Sequence, residues 1–167
     1  KQMGVDFITG VAMHFAFKGV SAVREKLPWN KGGSYSVGDA TFMDSDDSFF
    51  RYIQKRADVD ANGYYDIIAH GTPNGIQITH NGQHMIVDHR TAARLIQNAD
   101  GYNGQGIRLL SCNTGALDDG FAQNLANQLN VEVYAPTNYL WSTPNGNYFV
   151  AGMNNRETFK LFSPRGN

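Results

Sequence analysis

The chain of 167 residues has a single cysteine, Cys112, so no disulfide can form within it. A small fold stapled by disulfides is excluded, and the one thiol must be explained by its packing or its chemistry. Charge is scarce as well. Asp, Glu, Lys and Arg make up 17% of the residues, where an average domain has about 25%. Fourteen basic and 15 acidic side chains leave a net charge of −1, which gives no electrostatic case for nucleic acid as a partner. Long hydrophobic runs are missing too. The longest apolar stretch, residues 5–23, is broken by Asp6, His14 and Lys18, so no membrane span is predicted.

Turn-forming residues fill the gap: 18 glycines and many asparagines. Hydrophobic (41%) and aromatic (12%) fractions are ordinary, and the length fits one domain around one core. No internal repeat, linker or low-complexity tract divides the chain. A first residue that is lysine rather than methionine is what a fragment or released domain would show.

Residues 5–24 carry Val5, Ile8, Val11, Ala12, Phe15 and Ala16 at helical spacing. Thr41-Phe42-Met43 reads as a short strand. Asp44, Asp46 and Asp47 supply capping carboxylates for a helix with Phe49, Phe50, Ile53 and Ala57 on one side. From Tyr64 onward the pattern alternates. A strand over residues 64–69 ends at His70-Gly71, and Asn81-Gly82 predicts a hairpin between residues 75–78 and 84–87. Asp88 can cap a helix from His89. A strand over residues 107–111 closes at Cys112-Asn113, Asp118 and Asp119 open a helix, and residues 131–135 form a third strand. Strands alternating with helices predict an α/β fold with a mostly parallel central sheet and helices on both faces.

In such sheets, active groups gather outside the carboxyl ends of the strands. His70 stands at one such end and Cys112 at another. A thiolate is the reactive form of cysteine, and an imidazole can take its proton and later protonate a leaving amine. The pair therefore reads as nucleophile and base. Backbone N–H groups of Gly71 and Cys112 are the predicted oxyanion donors. Asp66 lies four residues before His70 on the same strand, about 13 Å away at roughly 3.3 Å per residue, so a dyad is predicted rather than a triad.

Tyr65-Asp66-Ile67-Ile68-Ala69-His70-Gly71 followed by Ile107-Arg108-Leu109-Leu110-Ser111-Cys112 resembles the two catalytic blocks of the caspase-like (clan CD) cysteine peptidases. Ala69-His70-Gly71-Thr72-Pro73-Asn74-Gly75, Leu110-Ser111-Cys112-Asn113-Thr114-Gly115 and Tyr134-Ala135-Pro136-Thr137 are similar, more specifically, to C-terminal domains of bacterial polymorphic and Rhs-type toxins. The likeness runs over residues 64–137. It implies a three-layer caspase-like fold, with residues 64–167 as catalytic core and residues 1–63 as an N-terminal helical segment packed on it. It also implies a cysteine endopeptidase without cofactor, secreted or delivered by a bacterial secretion system. Such an enzyme acts on a protein substrate in target-cell cytosol and is countered by a cognate immunity protein.

The segment after Pro136 sits where this superfamily builds its primary pocket, which nominates Thr137, Asn138, Tyr139 and Trp141 as substrate-binding residues. No charge occurs there, so an uncharged or small preferred side chain is expected. Two rival readings stay open: a Cys-His deamidase or acyltransferase, and a catalytically silent binding module. Other clusters read as structural. His80, His84 and His89 crowd a hairpin, where Asn81-Gly82 sets His80 and His84 across a turn rather than on the helix that zinc ligands at i and i+4 need, and no metal is predicted. Asp44, Asp46 and Asp47 lack the glycine and distal glutamate of a calcium loop. Ser111 has no G-x-S-x-G elbow and points to the opposite face from Cys112.

Overall fold

The computed structural model describes residues 39–44, 46–59, 61–80, 83–151 and 158–166. The helix expected over residues 5–24 and the Asn81-Gly82 turn lie outside the described residues. In chain order the elements are β1 (Asp39–Thr41), α1 (Ser48–Ile53), a 3₁₀ turn (Ala61–Gly63), β2 (Tyr65–Ile68), β3 (Gly71–Thr72), β4 (Gly75–His80) and β5 (Gln83–Val87). Then come α2 (His89–Gln97), β6 (Ile107–Leu110), α3 (Phe121–Leu129), β7 (Val133–Pro136), β8 (Tyr139–Ser142), β9 (Tyr148–Ala151) and β10 (Phe159–Phe162).

The fold is mixed α/β. Its main sheet has the order β1-β2-β6-β7-β10, with β1, β2, β6 and β7 parallel and β10 antiparallel to β7. β3, β4 and β5 form a separate antiparallel sheet, and β8 and β9 a two-stranded ribbon. β2 and β6 are buried along their whole length, so both faces must be covered. Side chains alternate across the sheet. Tyr65, Ile67, Ile107 and Leu109 meet Ala92 and Ile96 of α2 and Phe121 and Leu125 of α3 on one face. Ile68 and Leu110 meet Phe50 and Ile53 of α1 and Leu140 of β8 on the other.

Helix starts follow two different devices. Asp88 caps α2, its Oδ1 accepting from the N–H groups of Arg90 and Thr91 at 3.1 and 3.0 Å. Asp118 and Asp119 do not cap α3. They pair with Lys160 and Arg165 of the C-terminal segment, and Gly120 stands at the N-cap. The first N–H groups of α3 go instead to loop carbonyls, Phe121 to Pro73 at 2.8 Å and Ala122 to Thr114 at 3.1 Å. A methyl on Gly120 would lie 2.7 Å from the Pro73 oxygen, so this contact requires glycine. α3 thus ties the β3–β4 turn to the loop that follows Cys112.

α1 ends at Ile53, shorter than its apolar spacing suggests, and Arg56 beyond it turns inward. The Arg56 Nε and Nη2 donate to Oδ2 of fully buried Asp66 at 2.9 and 2.7 Å. Arg108 donates to both Asp66 oxygens at 2.7 and 2.6 Å, and its Nη1 to Asp58 and Tyr148 at 2.9 and 2.8 Å. Burial alone would lower the Arg108 pKa, but Asp66 and Asp58 more than offset it and keep the guanidinium charged. Two cations and two anions thus join β2, β6, α1 and the start of β9. They lie at the amino ends of β2 and β6, away from the rim where His70 and Cys112 stand.

Candidate active site

The register of β2 and β6 decides where the candidate residues fall. Asp66 pairs with Arg108 and Ile68 with Leu110. His70 and Cys112 follow two residues beyond the last of these pairs, at the same rim of the sheet, and Cys112 packs on the face of Ile68 and Leu110. Parallel strands lie about 4.8 Å apart, so the two residues leave the sheet from neighbouring strands. Both residues line one cavity of about 350 Å³.

His70 is held from the α1 side. Its Nε2 lies 2.8 Å from Oδ2 of Asp47. The other oxygen of that carboxylate caps α1, accepting from Phe49 N–H at 2.8 Å and Phe50 N–H at 3.4 Å. The sequence assigns Asp47 to capping alone and predicts a dyad. The cap is there, and the same group also reaches His70. Spacing could not supply it, because the contact needs β1 to lie beside β2 and turn α1 toward the rim. Asp66, the carboxylate weighed from sequence, is committed to the two arginines instead.

Cys112 sits between β6 and β8. The Leu140 N–H points at its sulfur at 3.3 Å, and the Leu140 carbonyl lies 3.7 Å from the same atom. Burial pushes the thiol pKa up, and the N–H groups of Leu140 and of Cys112 itself only partly counter this. Burial thus favours the neutral thiol over the thiolate. Alkylation of Cys112 by iodoacetamide should accordingly have a pH midpoint above the ordinary thiol value of about 8.5. A midpoint below that value, followed by mass spectrometry between pH 6 and 10.5, would indicate a preformed thiolate instead.

Asn113 follows in the left-handed region, with φ of 62°, a conformation asparagine tolerates better than most residues. This turns the chain sharply off the strand, and the Asn113 N–H bonds the Asn138 carbonyl at 3.0 Å. Ser111 is buried on the far side, its hydroxyl 3.2 Å from that of Thr114.

Gly71 matters for closeness. A Cβ there would meet the Cys112 carbonyl at 2.5 Å and the Thr114 methyl at 2.8 Å, so only glycine lets the two rim loops touch. Gln77 donates to the His70 carbonyl at 2.8 Å, which makes Gly71 and Ile76 a non-hydrogen-bonded pair of the β3–β4 ladder. The Gly71 N–H is therefore directed away from β4. The Cys112 N–H meets no backbone acceptor among the described residues.

Of the four residues nominated after Pro136, Trp141 lines the cavity, together with Ser48, Phe49, Tyr52, Leu140 and Ser142. Thr137 is bonded to the Thr158 backbone, Asn138 holds the Tyr139 N–H, and Tyr139 is exposed; none of the three lines the cavity. The wall from α1 was missed in the sequence, although Phe49 and Tyr52 at i and i+3 share a helix face. His84 pairs with Asp44 at 3.7 Å and its Nδ1 lies 3.1 Å from Thr79 Oγ1. No three metal-ligating side chains converge among the described residues, and no helix among them is long and apolar enough to cross a membrane.

A family model described as "Domain of unknown function (DUF8616)" matches residues 38–150, more than half of the chain. No curated protein matches the chain, and no solved structure does.

Proposed function

The chain belongs to the DUF8616 family, and we propose that it is a cysteine endopeptidase of the caspase-like kind, with Cys112 as nucleophile and His70 as base. The observation that supports this reading is that His70 and Cys112, which follow the carboxyl ends of neighbouring parallel strands, line one cavity. The layering supports the caspase-like fold: α2 and α3 cover one face of the parallel sheet, α1 and the β8–β9 ribbon the other.

In the proposed reaction His70 takes the Cys112 proton as sulfur bonds to the scissile carbonyl carbon. The developing oxyanion is met by the N–H groups of Gly71 and Cys112. As the C–N bond breaks, the proton passes from His70 to the leaving amine, and a thioester remains. Water then gives a proton to His70 and its oxygen to the thioester carbon. The C–S bond breaks, releasing the carboxylic acid and restoring the thiol. Asp47 fixes the His70 ring and stabilises its positive charge while the proton is held.

The wording of the Cys112 and His70 blocks supports a delivered toxin, acting on protein in a recipient cytosol and paired with an immunity protein. Terminal mapping of target-cell lysate tests the peptidase. New protein termini with wild type and none with Cys112→Ala are expected. A deamidase would give side-chain mass gains without new termini, and no Cys112-dependent change of either kind would leave a silent module.

A further inference from the structure

The cavity beside Cys112 has a composition that selects what can enter it. Phe49 and Tyr52 of α1 line one side, Leu140 and Trp141 of β8 the other, and Ser48, Ser142 and Tyr52 are the hydroxyl-bearing residues among the described lining. Apart from His70 itself, no charged side chain among the described residues lines it. The acidic groups near the site, Asp44, Asp46 and Asp47, line a different recess of about 170 Å³ that shares only His70 with this cavity.

Size and charge point the same way. About 350 Å³ would be left largely unfilled by a glycine or alanine side chain. A carboxylate or guanidinium entering between Phe49, Tyr52 and Trp141 would lose its water and gain no counter-charge. A ring gains most, since three aromatic walls allow edge and stacked contacts. Trp141 is 54% exposed and Phe149 51% exposed, and the two are cross-strand partners on the β8–β9 ribbon. Trp141, which lines the cavity, thus has surface still to bury.

We propose that this cavity is the specificity pocket for the residue whose carbonyl Cys112 attacks, and that it takes a large uncharged side chain, aromatic ahead of aliphatic. Trp141 and Tyr52 are its specificity-determining residues. This deepens the peptidase reading and rests on Cys112 being the nucleophile.

The test compares peptidyl acyloxymethyl ketones that differ only in the residue next to the electrophile: Phe, Leu, Gly, Asp or Arg. Adduct formation on Cys112 is followed by intact mass. The Phe reagent should react at least about tenfold faster than the Gly, Asp and Arg reagents. Trp141→Ala should narrow the Phe-to-Gly ratio by about fivefold or more, while Trp141→Phe keeps most of it. Ser142→Asp should raise the Arg reagent relative to the Phe reagent by putting a counter-charge on the wall. A wild-type protein that reacts quickly but prefers Asp, Arg or Gly overturns the pocket assignment and leaves the nucleophile standing. If no reagent outpaces a free thiol peptide, the nucleophile reading fails and takes the pocket with it.

Discussion

Asp66→Asn is expected to destabilise the folded domain by about 3–5 kcal/mol, the usual cost of breaking a buried ion cluster by removing one partner. Asp66 is fully buried and accepts from Arg56 and from Arg108. The amide keeps one acceptor oxygen but turns the other into an NH₂ group facing guanidinium donors. Two cations would then share Asp58, whose carboxylate is already engaged by Tyr148 and Arg108. Against a total stability of about 5–15 kcal/mol, this should lower the melting temperature by about 10 °C. Urea unfolding of both proteins measures it directly. A change below about 1 kcal/mol would mean that solvent or Asp58 compensates, and that the cluster contributes little.

His70→Ala should lower Cys112-dependent cleavage by about 10²–10⁴-fold, the range for loss of a positioned general base. The site gives two reasons to expect the upper part of that range. Burial favours the neutral thiol, which calls for a base to remove its proton, and among the described residues His70 is the one base that lines the cavity with Cys112. His70 is exposed, so its removal should leave folding nearly intact. Asp47→Ser separates the two duties of its parent carboxylate. Serine still caps α1 but is too short to hold His70, so melting should stay near wild type while cleavage falls between about 10- and 10⁴-fold. Equal cleavage by Asp47→Ser and wild type would reduce Asp47 to a helix cap.

The separation of 42 positions between His70 and Cys112 (112 − 70) is also the separation between Asp66 and Arg108 and between Ile68 and Leu110. The alternation of strand residues puts Asp66, Arg108, Ile68 and Leu110 on one face, and His70 and Cys112 follow at the rim. That much could be read from two strand patterns and the rule that parallel neighbours run in step. The same arithmetic could have exposed the Asp66–Arg108 pair, since a charge at matching positions of two buried strands demands a partner. The remaining parts of the site depend on packing between distant segments. Asp47 reaches His70 only because β1 adds to the sheet edge beside β2. Leu140 brackets the Cys112 sulfur only because the chain reverses after Pro136 into the β8–β9 ribbon. Asp118 and Asp119 look like caps by composition, yet Lys160 and Arg165 draw them outward. Local propensity has no means of anticipating partners about 40 residues away.

The most direct measurement is the second-order rate of Cys112 modification by a peptidyl acyloxymethyl ketone, set against a cysteine peptide of random structure. Wild type, His70→Ala and Cys112→Ala are compared by intact mass at neutral pH. A nucleophile served by His70 should react at least about 10²-fold faster than the free peptide, lose most of that advantage in His70→Ala, and gain no adduct in Cys112→Ala. A wild-type rate no greater than that of the free peptide, or a rate indifferent to His70, would contradict it.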